Sequence, residues 1–253
     1  QWRELFKHVC AEAHRLGLEV NMNNDAGWCG SGGPWITPDL AMQKVVATET
    51  NVVGPRRFEA ALAQPETVAN YYRDIAVLAF PTPTGDVRID GLPAKAAFAP
   101  RQVPPQANWP WLPPEQIVAR DQILNLSGQM DSSGRLTWNV PAGNWTIQRL
   151  GHTPTGKDNH PAPEAGRGLE ADKLSRTATD AMFAGLMGKL IADSKTLAGK
   201  TLVATHIDSW ETGSQNWTPK FREEFRRLRG YDPLPLLPVI TGRVVGSLEV
   251  SER

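Results

Sequence analysis

Three side chains capable of acid–base chemistry lie close together in the stretch from Thr201 to Gly213. They are His206, Asp208 and Glu211, and they follow apolar and β-branched residues typical of a buried strand. Because side chains alternate along a strand, His206 and Asp208 are predicted to share one face. Glu211 comes after the strand and before a helical pattern, which is where barrel enzymes hold catalytic groups.

Glu211 is the candidate general acid of this stretch. A carboxylic acid that stays protonated beside an apolar ring can donate a proton to the leaving oxygen of a glycosidic bond. Trp210 precedes Glu211 and is a candidate for that ring. The alternative is a solvated glutamate at the start of a helix. His206 and Asp208 either contact a substrate or satisfy each other's hydrogen bonds in the interior.

An earlier strand, predicted from Leu18 to Asn23, also ends in polar residues. Asn23 and Asn24 are therefore candidate substrate-binding residues. The loop that follows, 27–38, is rich in glycine and carries Trp28 and Trp35, but it lacks the pattern of a phosphate loop. Either the glycines only permit a tight turn, or the loop backbone approaches a ligand with one of the tryptophans as a platform.

A third segment is rich in acidic residues, namely Asp158, Glu164, Glu170 and Asp172. Carboxylate oxygens of this kind suit Ca²⁺, although the spacing is not that of an EF-hand. The alternative is a charged loop that leads into a helix, and the sequence alone does not assign a metal ligand.

Composition narrows the class of protein. The chain has 253 residues, of which 27 are basic, 27 are acidic and 40% are hydrophobic, so it can bury a sizeable core and carries no net charge. Nothing in this balance favours binding to nucleic acid or to an anionic membrane, and no apolar run is long enough to span a bilayer. The two cysteines, Cys10 and Cys29, have no metal-type spacing; they are interpreted as separate thiols, with a disulfide left open.

The elements that must position these residues alternate between helix and strand at both ends of the chain. We predict a first barrel segment at 1–41, a β-rich insertion at 42–143, and further barrel strands and helices at 144–253. The insertion has four predicted strands, Lys44–Val53, Tyr72–Phe80, Gln122–Leu126 and Leu136–Val140. The last segment has predicted strands at 144–152 and at 201–208, a helix from Leu169 to about Lys195, and a helix that ends at Gly230.

This order predicts an α/β fold, specifically an incomplete (β/α)8 TIM-barrel fragment interrupted by a β-rich insertion. Only three core strands are recognisable, whereas a closed barrel needs eight. The chain also begins with Gln1, inside a helical pattern, so we expect it to be a piece of a longer protein. The absence of a signal peptide then says nothing about its compartment.

The chain resembles glycoside hydrolase family 106, the bacterial α-L-rhamnosidases that degrade plant polysaccharides. Five segments carry the resemblance and run through most of the chain: 13–18, 27–38, 141–146, 168–175 and 206–213. The block Gly27-Trp28-Cys29-Gly30 is the most specific of the motifs.

The resemblance implies an inverting hydrolase of terminal α-L-rhamnose on a (β/α)8 domain, dependent on calcium and exported to the periplasm or the extracellular space. The pair Trp210-Glu211 is similar to the family's general-acid position. The general base is expected on a later strand beyond Arg253, so that the fragment alone would be inactive. The implied partner is a rhamnose-containing carbohydrate, and neither the calcium ligands nor the oligomeric state follows from the resemblance.

Two other classes compete with this interpretation. Retaining glycosidases of the large barrel clan usually have Asn-Glu at the fourth strand end, whereas this chain has Trp210-Glu211. A carbohydrate-binding module without catalysis would also explain a β-rich insertion and nine tryptophans.

Overall fold

The structure, a computed structural model, describes residues 1–24, 30–95, 109–208 and 211–252. It divides into two compact units. Unit 1 comprises residues 1–42 and 154–214, and unit 2 comprises residues 43–153 and 215–253. The helices are α1 (Trp2–Arg15), α2 (Leu92–Lys95), α3 (Arg176–Gly185), α4 (Met187–Ser194), α5 (Phe221–Arg229) and α6 (Leu248–Glu252). The strands are β1 (Val20–Asn23), β2 (Gln43–Ala61), β3 (Arg73–Pro81), β4 (Leu124–Asn125), β5 (Arg135–Pro154) and β6 (Leu202–His206).

Unit 1 is built on a parallel pair of strands, β1 and β6, with Asn23 opposite His206. Helix α4 contacts both α1 and β6. The core between them contains Met22, Ile36, Ala178, Met182, Met187, Leu190 and Leu202. Cys10 is a buried free thiol in this unit, with its Sγ 3.8 Å from Ser194 Oγ, and Cys29 lies outside the described residues.

Strand β6 is exposed more than its apolar pattern predicts. Val203 is 40% exposed and Ile207, just beyond the strand, is 42% exposed, although buried positions were expected. The physical reason is that β6 pairs with β1 along one edge, and the sheet described for this unit has only these two strands. The burial expected of a parallel strand therefore does not develop within the described residues.

The helix predicted from Leu169 to Lys195 is wrong in extent, because the structure has two helices. Residues 169–171 form isolated bridges to other segments, and α3 begins only after Ser175, whose side chain accepts a hydrogen bond from the Ala178 N–H at 3.3 Å. The helix breaks again at Leu186, next to Gly185. A side chain at position 185 would clash with the ring of Trp35, because its Cβ would lie 2.2 Å away. The helix therefore breaks where its backbone packs closely against Trp35.

Unit 2 contains a four-stranded sheet in the order β2-β5-β3-β4. All four strands predicted in the insertion are present, and β3 runs antiparallel to β5, with Ala79 opposite Ile147. Apolar side chains from this sheet form one core with Val52, Phe58, Val77, Leu136, Trp138, Val140 and Ile147.

The structure differs from the predicted boundary at 143/144. The strands predicted at Leu136–Val140 and Asn144–His152 are one continuous strand, β5, because Gly143 adopts a φ of +108° and lets the extended chain continue past Pro141. Its later half therefore belongs to the sheet of unit 2 and does not pair with β1 or β6. Residues 215–253 also cluster with unit 2.

The helix near the carboxyl end agrees with its prediction. Gly230 is in the left-handed conformation, with φ +77°, and its N–H bonds to the Arg226 carbonyl, which ends α5 as expected. A 3-10 segment, Leu234–Thr241, follows. Among the helices of the described ranges, none is long and apolar enough to cross a membrane.

Candidate functional site

Strands β1 and β6 bring four of the predicted site residues to one edge of unit 1. Asn23 lies opposite His206, and the Asn24 N–H donates a hydrogen bond to the His206 carbonyl at 3.0 Å. Asp208 follows His206 by one intervening residue. We call Asn23, Asn24, His206 and Asp208 the strand-end cluster. The carboxyl ends of parallel strands are the usual location of sites in α/β folds, and this cluster has that location.

His206 and Asp208 are open to solvent. Their side chains are 64% and 60% exposed, and His206 Nε2 lies 3.9 Å from Asp208 Oδ2. At this distance and exposure the ion pair contributes little to stability. The alternative in which the two residues satisfy each other in the interior is therefore not what the structure has, and both side chains are accessible to a ligand.

Asn24 is the buried member of the cluster, at 4% exposure. Its Nδ2 donates to the Gly30 carbonyl at 2.5 Å, while its Oδ1 accepts no hydrogen bond in the part of the chain that the structure describes. A buried amide oxygen without a donor costs about 1–3 kcal/mol. Because this oxygen is itself buried, Asn24 shapes the edge from within and does not face solvent as His206 and Asp208 do.

Glu211 belongs to unit 1 and is exposed, a short distance after β6. The next residue, Thr212, is buried and anchors the chain there. Trp210 lies outside the described residues, so its contact with Glu211 stays a prediction. Trp28 and Asp25 also lie outside them.

Trp35 packs inside unit 1, against the core that α3 and α4 form. A Cβ on Gly33, which has a φ of +145°, would lie 2.5 Å from the Trp35 ring, and the Ile36 N–H bonds to the Gly33 carbonyl at 3.0 Å. These contacts fit the tight-turn interpretation of the loop. They place the ring of Trp35 in packing and not on an open platform.

Two of the four acidic residues at 158–172 are buried and have polar partners. Glu170 is fully buried, accepts a hydrogen bond from Ser31 Oγ at 2.5 Å and pairs with Lys173 Nζ at 2.8 Å. Asp172 is 1% exposed and accepts a hydrogen bond from the Leu174 N–H at 2.9 Å. Both carboxylates therefore organise the turn before α3. Sequence reasoning missed this pairing, because Glu170 and Lys173 lie before α3 and not on a helix face, so no helical spacing indicates it.

The other two acidic residues, Asp158 and Glu164, are more exposed than this buried pair. Asp158 is paired with His160, with Oδ1 and Nδ1 3.8 Å apart, and Glu164 is exposed. Across the described ranges, no group of three or more His, Cys, Asp or Glu residues could hold a metal ion. Asp158, Glu164, Glu170 and Asp172 are therefore not gathered into one calcium-binding group.

Sequence reasoning also missed a buried histidine in unit 2. His152 is 6% exposed, and its Nδ1 lies 3.0 Å from Gln43 Oε1, between the rings of Tyr71 and Trp217. Burial, with a smaller effect from the charge of Arg73, lowers the pKa of His152 to about 4. This histidine is therefore neutral at physiological pH. Little in the sequence indicated it, since other buried positions in this part of β5 are also polar, namely Gln148, Arg149 and Thr153.

Comparison with known proteins gives three results. The family model for glycoside hydrolase family 106, described as alpha-L-rhamnosidase, matches residues 1–253. A protein of Formosa agariphila named putative beta-glucuronidase is 44% identical over 252 residues, which is 100% of this chain and 22% of that protein. The structure of a rhamnosidase from Novosphingobium sp. PP1Y matches with a TM-score of 0.83 and 24% identity, over 99% of this chain and 37% of that one. This chain thus spans about a fifth of the curated relative, and it shares the fold of part of the solved rhamnosidase.

Proposed function

Because the chain belongs to glycoside hydrolase family 106, we propose that it supplies the general acid of an enzyme that removes terminal α-L-rhamnose from plant polysaccharides or glycosides. The family relation itself supports a glycoside hydrolase that acts on a carbohydrate. The observation that carries the finer proposal is the strand-end cluster, in which exposed and buried polar groups meet just before Glu211.

In the proposed mechanism Glu211 protonates the leaving oxygen as the glycosidic bond breaks. A carboxylate elsewhere in the protein takes the proton of the attacking water, so that the anomeric configuration inverts. Inverting enzymes hold the two carboxyl groups roughly 6.5–9.5 Å apart to leave room for that water. The Asp208 carboxylate, which is 60% exposed, is suited to accept hydrogen bonds from sugar hydroxyls.

Charge favours a neutral sugar over a uronic acid at this site. Glucuronate, the sugar in the name of the Formosa agariphila relative, carries a carboxylate, which a binding site would pair with Lys or Arg. Neither residue type occurs in the strand ends that the structure describes here, 20–24 and 202–208, while Asp208 adds a negative charge. Rhamnose, which has no ionisable group, suits this edge better.

We also propose that β1 and β6 belong to a larger parallel barrel. Parallel strands are normally covered on both faces, yet Val203 and Ile207 are exposed in this chain. The relatives are much longer than the chain, which agrees with further strands in the rest of the protein. Calcium dependence and export stay predictions from the family relation.

The test is hydrolysis of an aryl α-L-rhamnoside and an aryl β-D-glucuronide by the full-length protein, beside its Glu211→Gln variant. General-acid catalysis typically contributes 10²–10⁴-fold, so we expect Glu211→Gln to lose about that factor in kcat on the rhamnoside. The matched control is Glu223→Gln, an exposed glutamate of α5, which should keep full activity.

The outcomes separate the hypotheses. Release of β-L-rhamnose as the first product, seen by NMR, would support inversion, and release of the α-anomer would support a retaining enzyme. Turnover of the glucuronide alone would overturn the substrate proposal. No turnover of either substrate, with binding of rhamnosides retained, would identify a carbohydrate-binding protein without catalysis.

A further inference from the structure

Unit 2 contains a cleft of about 610 Å³ that neither the strand-end cluster nor Glu211 explains. Residues 109–117 and 246–249 line it, and among them are two tryptophans, Trp109 and Trp111, with Ser247 and Glu249. Its volume is within the range of about 300–1,000 Å³ that is usual for small-molecule sites. We call it the tryptophan cleft.

The exposure of Trp111 sets it apart from the tryptophans in the cores of unit 2. Trp111 is 79% exposed, whereas Trp138 and Trp217 are 6% and 5% exposed. An indole that lies open in a cleft offers a flat apolar face to a ligand, and such rings bind with a small loss of side-chain entropy.

Both walls of the cleft are held in place by the backbone. The Val118 N–H bonds to the Val244 carbonyl at 2.8 Å, and the Gly246 N–H bonds to the Val118 carbonyl at 2.9 Å. Val118 and Val245 are almost fully buried and pack on Phe80. Prolines at 110, 113 and 114 restrict the tryptophan wall, because each fixes its own φ. The cleft is therefore largely preformed, which lowers the entropic cost of binding.

We propose that the tryptophan cleft binds a neutral pyranose unit of a glycan, as a second sugar-binding site besides the strand-end cluster. The apolar face of a pyranose ring stacks on indole, while its hydroxyls need acceptors at the ring edge. Glu249 supplies a carboxylate, whose two oxygens can accept several hydrogen bonds, and Ser247 supplies a hydroxyl.

The charge of the cleft bears on the class of sugar. Glu249 is the one ionisable residue among those that line it in the described chain, so an anionic uronate would meet a like charge. A neutral sugar meets no such repulsion. That the sugar belongs to a rhamnose-containing glycan rests on the proposed function. That the cleft binds a neutral sugar does not depend on it.

The test is binding of a neutral, α-L-rhamnose-terminated oligosaccharide to the full-length protein and to its Trp111→Ala variant, by isothermal titration calorimetry. Truncation of an aromatic anchor typically weakens binding by about tenfold or more, and we expect that loss here. The control is Trp2→Ala, which removes another exposed tryptophan, 59% exposed, from α1 in unit 1 and should leave the affinity unchanged.

Activity on a small aryl α-L-rhamnoside, measured on the same variants, distinguishes this inference from the proposed function. We expect Trp111→Ala to keep the kcat and KM of the small substrate while its KM for the oligosaccharide rises. If the full-length protein bound the oligosaccharide through Trp111 and yet hydrolysed no substrate, that result would support the sugar-binding cleft and contradict the proposed function.

Three results would overturn the inference. They are equal affinity of the wild type and Trp111→Ala, preference for a uronate-containing oligosaccharide, and a change of oligomeric mass on Trp111→Ala, which would make the cleft an interface between copies. Because Trp111 is exposed, the variant is expected to fold. Glu249→Gln gives a second check, since loss of the carboxylate should weaken binding of the oligosaccharide.

Discussion

The strand-end cluster of unit 1 and the buried polar contacts of unit 2 use similar residue types for different purposes. His206 is 64% exposed and lies 3.9 Å from Asp208, while His152 is buried and lies 3.0 Å from Gln43. The first histidine can meet a ligand, and the second holds strands together as a neutral group. Residue type alone does not separate these roles, but burial and hydrogen bonding do.

The arginine pairs of unit 2 extend the comparison. Arg149 donates two hydrogen bonds to Asp74, at 2.8 and 2.9 Å, and a third to the Leu62 carbonyl. Burial alone would raise the pKa of Asp74, but the hydrogen bonds from Arg149 and Tyr72 outweigh it and hold that pKa below its usual value. Arg243 clamps Glu49 in the same bidentate way. Removing one partner of such a pair should affect stability before it affects catalysis.

The largest effect on stability should come from Arg149→Met. The variant leaves Asp74 and the Leu62 carbonyl without their donor. Because the Asp74 side chain is 36% exposed, the cost should lie below the roughly 3–5 kcal/mol of a fully buried pair and above the roughly 1 kcal/mol of an exposed one. Urea unfolding measures this cost. Arg57→Met is the matched control, since the Arg57 side chain is 67% exposed, and it should change stability little. Equal effects of the two variants would show that the buried guanidinium of Arg149 contributes no more to stability than the exposed one of Arg57.

His152 should make stability depend on pH. Its pKa is about 4 when folded against about 6.5 when unfolded, so below pH 6.5 the unfolded state takes up a proton that the folded state does not. The free energy of unfolding should fall by about 2 kcal/mol between pH 7 and pH 5 from this group alone.

That contribution should be missing from His152→Gln, which removes the titrating ring. His160→Gln is the control, because the His160 side chain is 56% exposed. If His152→Gln and the wild type lose equal stability on acidification, His152 is not the group responsible.

Asp208→Asn, unlike the substitutions of Arg149 and His152, should lower activity and leave stability unchanged. Asp208 is 60% exposed, so the unfolding midpoint should not move. A hydrogen bond to a charged group contributes about 1.5–3 kcal/mol, so kcat/KM on an aryl α-L-rhamnoside should fall roughly tenfold to a hundredfold. Asp180→Asn on α3, another exposed aspartate, is the control and should retain full activity.

The smallest effect should come from the ion pair on α1 between Glu12 and Arg15. Both side chains are largely exposed, so Arg15→Ala should alter neither thermal unfolding nor turnover measurably. A clear drop in the melting temperature would show that exposed pairs in unit 1 matter more than their accessibility indicates.

Much of the local structure was predictable because local patterns determine it. The β-branched and apolar residues before His206 indicated strand β6, and Gly230 marked the end of α5. The pairing of Asn23 with His206 was not predictable, since it joins residues far apart in sequence. The break at Leu186 was missed for the same reason, because it accompanies the contact of Gly185 with Trp35.

The candidate site was predictable in part. Its members could be chosen as polar residues at strand ends, yet their exposure and the unfilled acceptor on Asn24 depend on tertiary structure. The buried partners of unit 2 were missed because they combine β3 with β5, and β2 with Arg243. Local patterns in one sequence do not reveal which distant segments pair with each other.

The most direct test of this account is a paired measurement of kcat and of the free energy of unfolding on Glu211→Gln and Arg149→Met. We expect one variant to lose activity and the other to lose stability. Glu211→Gln should lose about 10²–10⁴-fold in kcat on an aryl α-L-rhamnoside with unchanged stability. Arg149→Met should lose stability and keep kcat per folded molecule. If Glu211→Gln unfolds more easily while its kcat is unchanged, Glu211 is a structural residue and the general acid lies elsewhere.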